Sequence, residues 1–219
     1  MTRIVTVLAL LLALSLAGCG SSEKAPTSDQ VTAAAQTEKG QLLEKIDRRY
    51  ENPEAHYKLG RLYYNEGALD RADFEYRVTL GFDPVHYRAQ AGVVKVLEDQ
   101  KAPQRAQTIA ELYISQTAVS AKNSLRLGKA FENEGLSEYA LSCYYQTIGL
   151  DPEMAEPYKL LGFHYLNAGD KVRAEENLRR SFELNPYQPD VSGELGRLGV
   201  IITTPHQPAE AIPEQPAEQ

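Results

Sequence analysis

Apolar and small residues in the middle of this chain follow a pattern that recurs at a fixed spacing of 34 residues. Leu59-Gly60, Tyr63, Gly67, Ala72, Tyr76 and Pro84 form one set. Leu127-Gly128, Phe131, Gly135, Ala140, Tyr144 and Pro152 repeat it at identical offsets, as do Leu161-Gly162, Tyr165, Gly169, Ala174, Leu178 and Pro186. A worn copy lies between the first two: Val93-Val94, Leu97, Ala106 and Ala110. Each position has a physical role. The Leu-Gly pair predicts the middle of a first helix, where the glycine admits a second helix at close range. The aromatic that follows lies on the same face and fills the space between helices. Gly67, Gly135 and Gly169 predict the end of that helix in a left-handed cap. Ala72, Ala140 and Ala174 keep the second helix small where it meets the first. The prolines stop the second helix, and Asp83, Asp151 and Asn185 before them suit the turn and N-cap that follow. A fixed period of this length predicts a stacked repeat array, not one closed core. The functional question moves from which reaction to which partner.

These residues and spacings resemble the tetratricopeptide repeat (TPR) family. The match covers Pro53 to Gln188, 136 of 219 residues, as four ungapped units: 53–86, 87–120, 121–154 and 155–188. The second unit departs from the pattern, with Lys101 in place of the inter-helix glycine and Ala118 in place of the final proline. Pro103 still suits the first turn of its second helix, so this unit is expected to be a helix pair that is locally looser. The resemblance implies an all-α fold: a right-handed TPR superhelix of four helix-turn-helix repeats, its concave face lined by the first helix of each pair. Tyr63, Phe131 and Tyr165 are expected in the core. Terminal repeats need covering. Residues 189–202, with a further Leu195-Gly196 pair, read as a C-terminal capping helix. Residues 38–51, with Leu42, Leu43 and Ile46, read as a short N-terminal helix that Gly40 weakens.

The chain opens with an apolar run, Ile4 to Leu16, preceded by Arg3 and too short for a comfortable membrane span. It ends in Leu16-Ala17-Gly18-Cys19, which is similar to the lipobox of bacterial lipoproteins. That resemblance implies a signal peptide over 1–18, cleavage before Cys19, and acylation of Cys19. The expected location is the bacterial cell envelope, anchored by lipid, and Gly20 in place of aspartate points to the outer membrane facing the periplasm. Residues 19–37, rich in Ser, Thr, Ala and Gln, read as a flexible tether. Residues 203–219 hold four prolines and three glutamates with no Lys or Arg, and read as a disordered acidic tail.

The formal net charge of −7 argues against nucleic-acid binding. Catalytic signals are missing. The four histidines are scattered, no phosphate-binding loop or nucleophile elbow occurs, and Cys143 reads as a packing residue. We therefore expect no enzyme, metal, cofactor or small-molecule substrate; a small-ligand binder or enzyme using the groove is the alternative from another class.

In the family the groove is lined by recurring first-helix positions. Carried onto this chain they include Tyr57, Arg61 and Tyr64, then Arg88 and Lys95, then Lys122 and Lys129, then Lys159 and Phe163. Six of these are basic, a stripe that would suit an envelope protein or peptide segment with acidic groups. Tyr57, Tyr64 and Phe163 would add apolar anchors. Lys122 and Arg126 match one pair of the carboxylate clamp found in some TPR domains. Tyr57, Arg61 and Gly92 depart from the rest of it, so binding of chaperone tails is not expected. The resemblance implies a scaffold in pilus or secretion-channel assembly, or an adaptor that recruits cell-wall hydrolases.

Overall fold

The computed structural model describes residues 28–202, and these form ten helices and no strand. Cys19 and the tail from residue 203 lie outside the described residues. α1 (Ser28–Arg48) precedes four helix pairs: α2 (Pro53–Asn65) with α3 (Leu69–Phe82), α4 (Tyr87–Asp99) with α5 (Pro103–Gln116), α6 (Ala121–Asn133) with α7 (Ser137–Leu150), and α8 (Ala155–Asn167) with α9 (Lys171–Leu184). α10 (Pro189–Arg197) packs on α9. Successive pairs stack side by side, which is the all-α repeat architecture that the period predicts.

The glycines on the first helices act through close approach. A methyl group at Gly60 would stand 2.8 Å from the Tyr76 ring, and one at Gly92 would stand 2.7 Å from the other edge of the same ring. Tyr76 is thus held between α2 and α4. Gly128 faces Tyr144 and Gly162 faces Leu178 in the same way. In α4 the position equivalent to Gly60 is Val94, which is fully buried. In this unit α5 packs on α4 less extensively than in the other pairs, and α6 packs directly against α4. Gln146 of α7 ties the end of α5 to the start of α6. Its Nε2 donates to the Ile114 carbonyl (3.1 Å), Thr117 Oγ1 (3.0 Å) and Ser124 Oγ (3.0 Å).

Gly67, Gly135 and Gly169 adopt φ of +75°, +73° and +78°. Lys101 takes the same turn with φ 59°. Its hydrogen bonds match those of the glycine turns: Ala102 N–H reaches Leu97 O at 3.0 Å as Ala68 N–H reaches Tyr63 O at 2.9 Å. The turn itself is as well bonded as the glycine turns, its strain carried by a side-chain-bearing residue, while the unit is looser as expected in that α5 packs on α4 less extensively than the second helix does in the other three pairs.

Three expectations are corrected. Asp83, Asp151 and Asn185 shape turns, accepting from the N–H of Val85, Glu153 and Tyr187, but they do not cap the next helix. A residue before proline is pushed into extended backbone, so the helix starts later, and His86 is the N-cap of α4. α1 begins at Ser28, inside the segment expected to be a tether, because Ala33-Ala34-Ala35 favours helix strongly. Tyr63 is only half-buried, unlike Phe131 and Tyr165. Its unit is the first, so α1 takes the place of a preceding repeat: Tyr63 packs against the small cluster of Leu42, Ala55 and Leu59, with Lys39 (4.4 Å) and Arg71 (5.6 Å) over its ring.

Candidate functional site

The first helices α2, α4, α6 and α8 carry the expected groove residues, and the structure pairs most of the cations with acids. Arg88 donates to Glu54 at 2.9 Å and Lys95 to Asp99 at 2.7 Å. Lys129 meets Glu156 at 2.5 Å, and Lys159 pairs with Asp190 of α10. Arg61 lies 3.7 Å from Glu134. That last pair joins the first unit to the third. The face is a lattice of alternating charge more than a basic stripe. Lys122 and Arg126 are exposed and have no ion-pair partner among the described residues.

The aromatic anchors also differ in kind. Tyr57 is 3% exposed, so its ring is core and not a free anchor. It packs on Tyr76 and His86, with Arg88 over its face at 4.6 Å, and its hydroxyl accepts from Arg61 at 3.2 Å. That bond, against an opposing burial effect, raises the Arg61 pKa. Tyr64 is half-buried and donates to Asp99 at 2.5 Å. Burial works to raise the Asp99 carboxyl. The bonds from Lys95 and Tyr64 outweigh it and hold Asp99 below its ordinary value. Phe163 is half-buried against the cluster of Leu178, Val191 and Leu195.

Acidic partners such as Glu134 and Asp190 were not legible as groove residues. Glu134 is the C-cap of α6, outside the recurring groove positions, and Asp190 lies on the capping helix α10 at the place that Glu156 takes in α8.

An open cleft of about 660 Å³ lies beside this face, lined by Asp83, Val85, His86, Tyr87, Arg88, Asn123 and Arg126. Other polar groups inside the array are structural. His56 is buried, with Nε2 2.9 Å from the Tyr50 carbonyl and Nδ1 2.6 Å from Glu75. Gln90 and Tyr158, at the equivalent place in later units, donate to the carbonyls of Pro84 (2.8 Å) and Pro152 (3.3 Å). Each bond ties a first helix to the turn that enters it. Burial pushes the Cys143 thiol up to about 12. Among the described residues no group of His, Cys, Asp or Glu could hold a metal, and no helix is long and apolar enough to cross a membrane.

No protein-family model matches the chain. It is similar to the type IV pilus assembly protein PilF of Pseudomonas aeruginosa, at 28% identity over 200 residues, 87% of this chain and 71% of that protein. Among solved structures, that of Pseudomonas aeruginosa PilF aligns with a TM-score of 0.41 at 24% identity, covering 67% of each chain. A TPR protein of Thermus thermophilus aligns with a TM-score of 0.47 at 16% identity, covering 77% of this chain and 92% of its own. MamA of Desulfovibrio magneticus aligns with a TM-score of 0.42 at 23% identity, covering 73% and 90%.

Proposed function

We propose that this chain is a lipid-anchored scaffold of the bacterial envelope. It would hold a protein or peptide segment on its concave face during assembly of a pilus or related complex. The observation that carries the reading is the architecture: four stacked helix pairs with an open, charged concave face, and catalytic residue types dispersed through helix surfaces. Repeat arrays of this kind present extended concave surfaces to partners. The pilus assignment rests on likeness to PilF, and the anchor on Leu16-Ala17-Gly18-Cys19. Acylation of Cys19 with two or more chains would give a durable hold, each buried methylene adding about 0.8 kcal/mol.

Because the groove cations are paired, replacing them leaves acids behind. In the triple variant Arg61→Ala, Lys95→Ala, Lys129→Ala, the groups Glu134, Asp99 and Glu156 lose their partners and the face becomes acidic. The Lys129–Glu156 pair is exposed and contributes only about 0–1 kcal/mol; the other two pairs are part-buried but keep one side open to solvent, and no core side chain is altered, so the variant should fold at some loss of stability. Crosslinking from native membranes should capture specific envelope proteins with the wild type and lose them with the variant. An identical captured set would remove the groove from the mechanism. Separately, a Cys19→Ser chain that still partitions with membranes would remove the lipid anchor.

A further inference from the structure

α1 fixes where the chain leaves the array. It runs antiparallel to α2. Lys39 Nζ lies 2.8 Å from Glu66, the C-cap of α2, and Leu42 packs with Ala55 and Leu59. The carbonyl of Tyr50, just beyond α1, accepts from His56 near the start of α2 (2.9 Å). Residues 28–38 therefore continue past the end of α2 for about 16 Å, at about 1.5 Å per residue. They leave by the edge that carries the left-handed turns at Gly67, Lys101, Gly135 and Gly169. The opposite edge, where each second helix passes to the next first helix, lies level with the other end of α1, beside Tyr50 and Asn52.

Lengths then decide which edge can face a membrane that holds Cys19. Nine residues lead from Cys19 to Ser28 and span at most about 32 Å. With the glycine-turn edge toward the membrane, Ser28 is the end nearest the lipid, and every separation up to that limit is open to it. With the opposite edge toward the membrane, Ser28 stands above the lipid by at least the length of α1. The 21 residues of α1 make about 31 Å, so the link would have to be drawn out almost straight. A chain held straight gives up nearly all of its conformational freedom, which is the main cost of ordering a polypeptide.

We infer that the chain stands with its glycine-turn edge facing the lipid and α1 as its stalk, so that the first helices point their C-terminal ends at the bilayer. The inference rests on the Cys19 anchor proposed above. Residues 61, 95 and 129 are equivalent and fall in a row across α2, α4 and α6. In this stance the row runs along the membrane, and a segment held on the concave face passes beside the bilayer and not down toward it.

The test uses the full acylated chain in phosphatidylcholine vesicles that carry a rhodamine acceptor on some headgroups. A donor dye is attached to Gln104→Cys or to Val119→Cys, exposed positions near the two ends of α5. Cys143 is buried and stays unlabelled, with the wild type as blank. Energy transfer should be several-fold greater from position 104 than from position 119. A Gly/Ser insert of about twenty residues between Lys24 and Ala25 lengthens the reach and should shrink that contrast. Equal transfer from both positions, or more from position 119, would overturn the inference. A contrast that ignores the insert would overturn it too, since the tether would then not set the stance. Flotation of the same vesicles reports the anchor separately. Chain that fails to float refutes the Cys19 anchor and the stance with it; chain that floats with equal transfer refutes the stance alone.

Discussion

At the residue scale, the position that breaks the pattern says most about the forces that make it. Three turns place glycine at a left-handed φ, and the fourth places Lys101 there with the same hydrogen bonds. The turn geometry is therefore imposed by the packing of both helices, and the lysine backbone bears the cost. A side-chain-bearing residue in this region costs about 1–2 kcal/mol, part of which glycine returns through its freer unfolded chain. Lys101→Gly is expected to stabilise the protein by about 0.5–1 kcal/mol, read as a higher urea midpoint at unchanged slope. A lower midpoint would mean that the lysine makes a contact that outweighs its strain. The sequence marks the residue as a departure from the pattern. That the turn keeps its geometry by strain, while the loosening lies in how α5 packs on α4, is visible only in the structure.

At the element scale, glycines in helices divide by what stands opposite them. Gly60 in α2 faces the ring of Tyr76, where a methyl group must displace packed side chain; Gly81 in α3 faces open space. Gly60→Ala should destabilise by about 1–3 kcal/mol through overpacking. Gly81→Ala should instead stabilise by up to about 1 kcal/mol, because alanine is the better helix former. Thermal unfolding of the two variants should shift in opposite directions, and shifts of one sign would show that helix propensity, not packing, governs both. The role of Gly60 was legible because it recurs as Gly128 and Gly162. Gly92 was not, since it lies outside the recurring set; its work is to admit the Tyr76 ring from the far side. Tyr57 is the converse case. Its place in the period marks it as groove-lining, yet His86 from the next turn and Tyr76 from α3 cover its ring.

At the scale of the whole molecule, titratable groups knit units together and set the pH range of the fold. Asp190 is held low by its bond from Lys159, and Asp99 is held low by Lys95 and Tyr64 against the effect of burial. Carboxyls depressed in the fold contribute stability above their unfolded value, about 4, and lose it as pH falls through the folded value. Tyrosines behave in the opposite sense. Burial, helped by a bond to Glu98, pushes Tyr139 up to about 12, and burial also raises Tyr76 and Tyr144. Their contribution is complete below the ordinary tyrosine value, about 10, and is lost as pH rises through the raised values. Urea midpoints should form a plateau between about pH 5 and 9 and fall on both sides. A midpoint that stays level from about pH 3 to 11 would show that these bonds do not distinguish folded from unfolded chain.

The sequence by itself determined the local and periodic parts of this protein. Helix pairs, their glycine turns, their proline stops and the buried faces of Phe131, Tyr144 and Leu178 follow from spacing alone, because each is settled within one 34-residue unit by contacts at short range. The tertiary structure decided whatever depends on how one unit sits on another. It paired Arg61 with Glu134 across two units, buried Tyr57, brought Asp190 to Lys159 and set Val85, Tyr87 and Arg126 around one cleft. A sequence period states which residues are equivalent. It does not state how one unit packs on the next, and that packing decides which charges meet along the first helices.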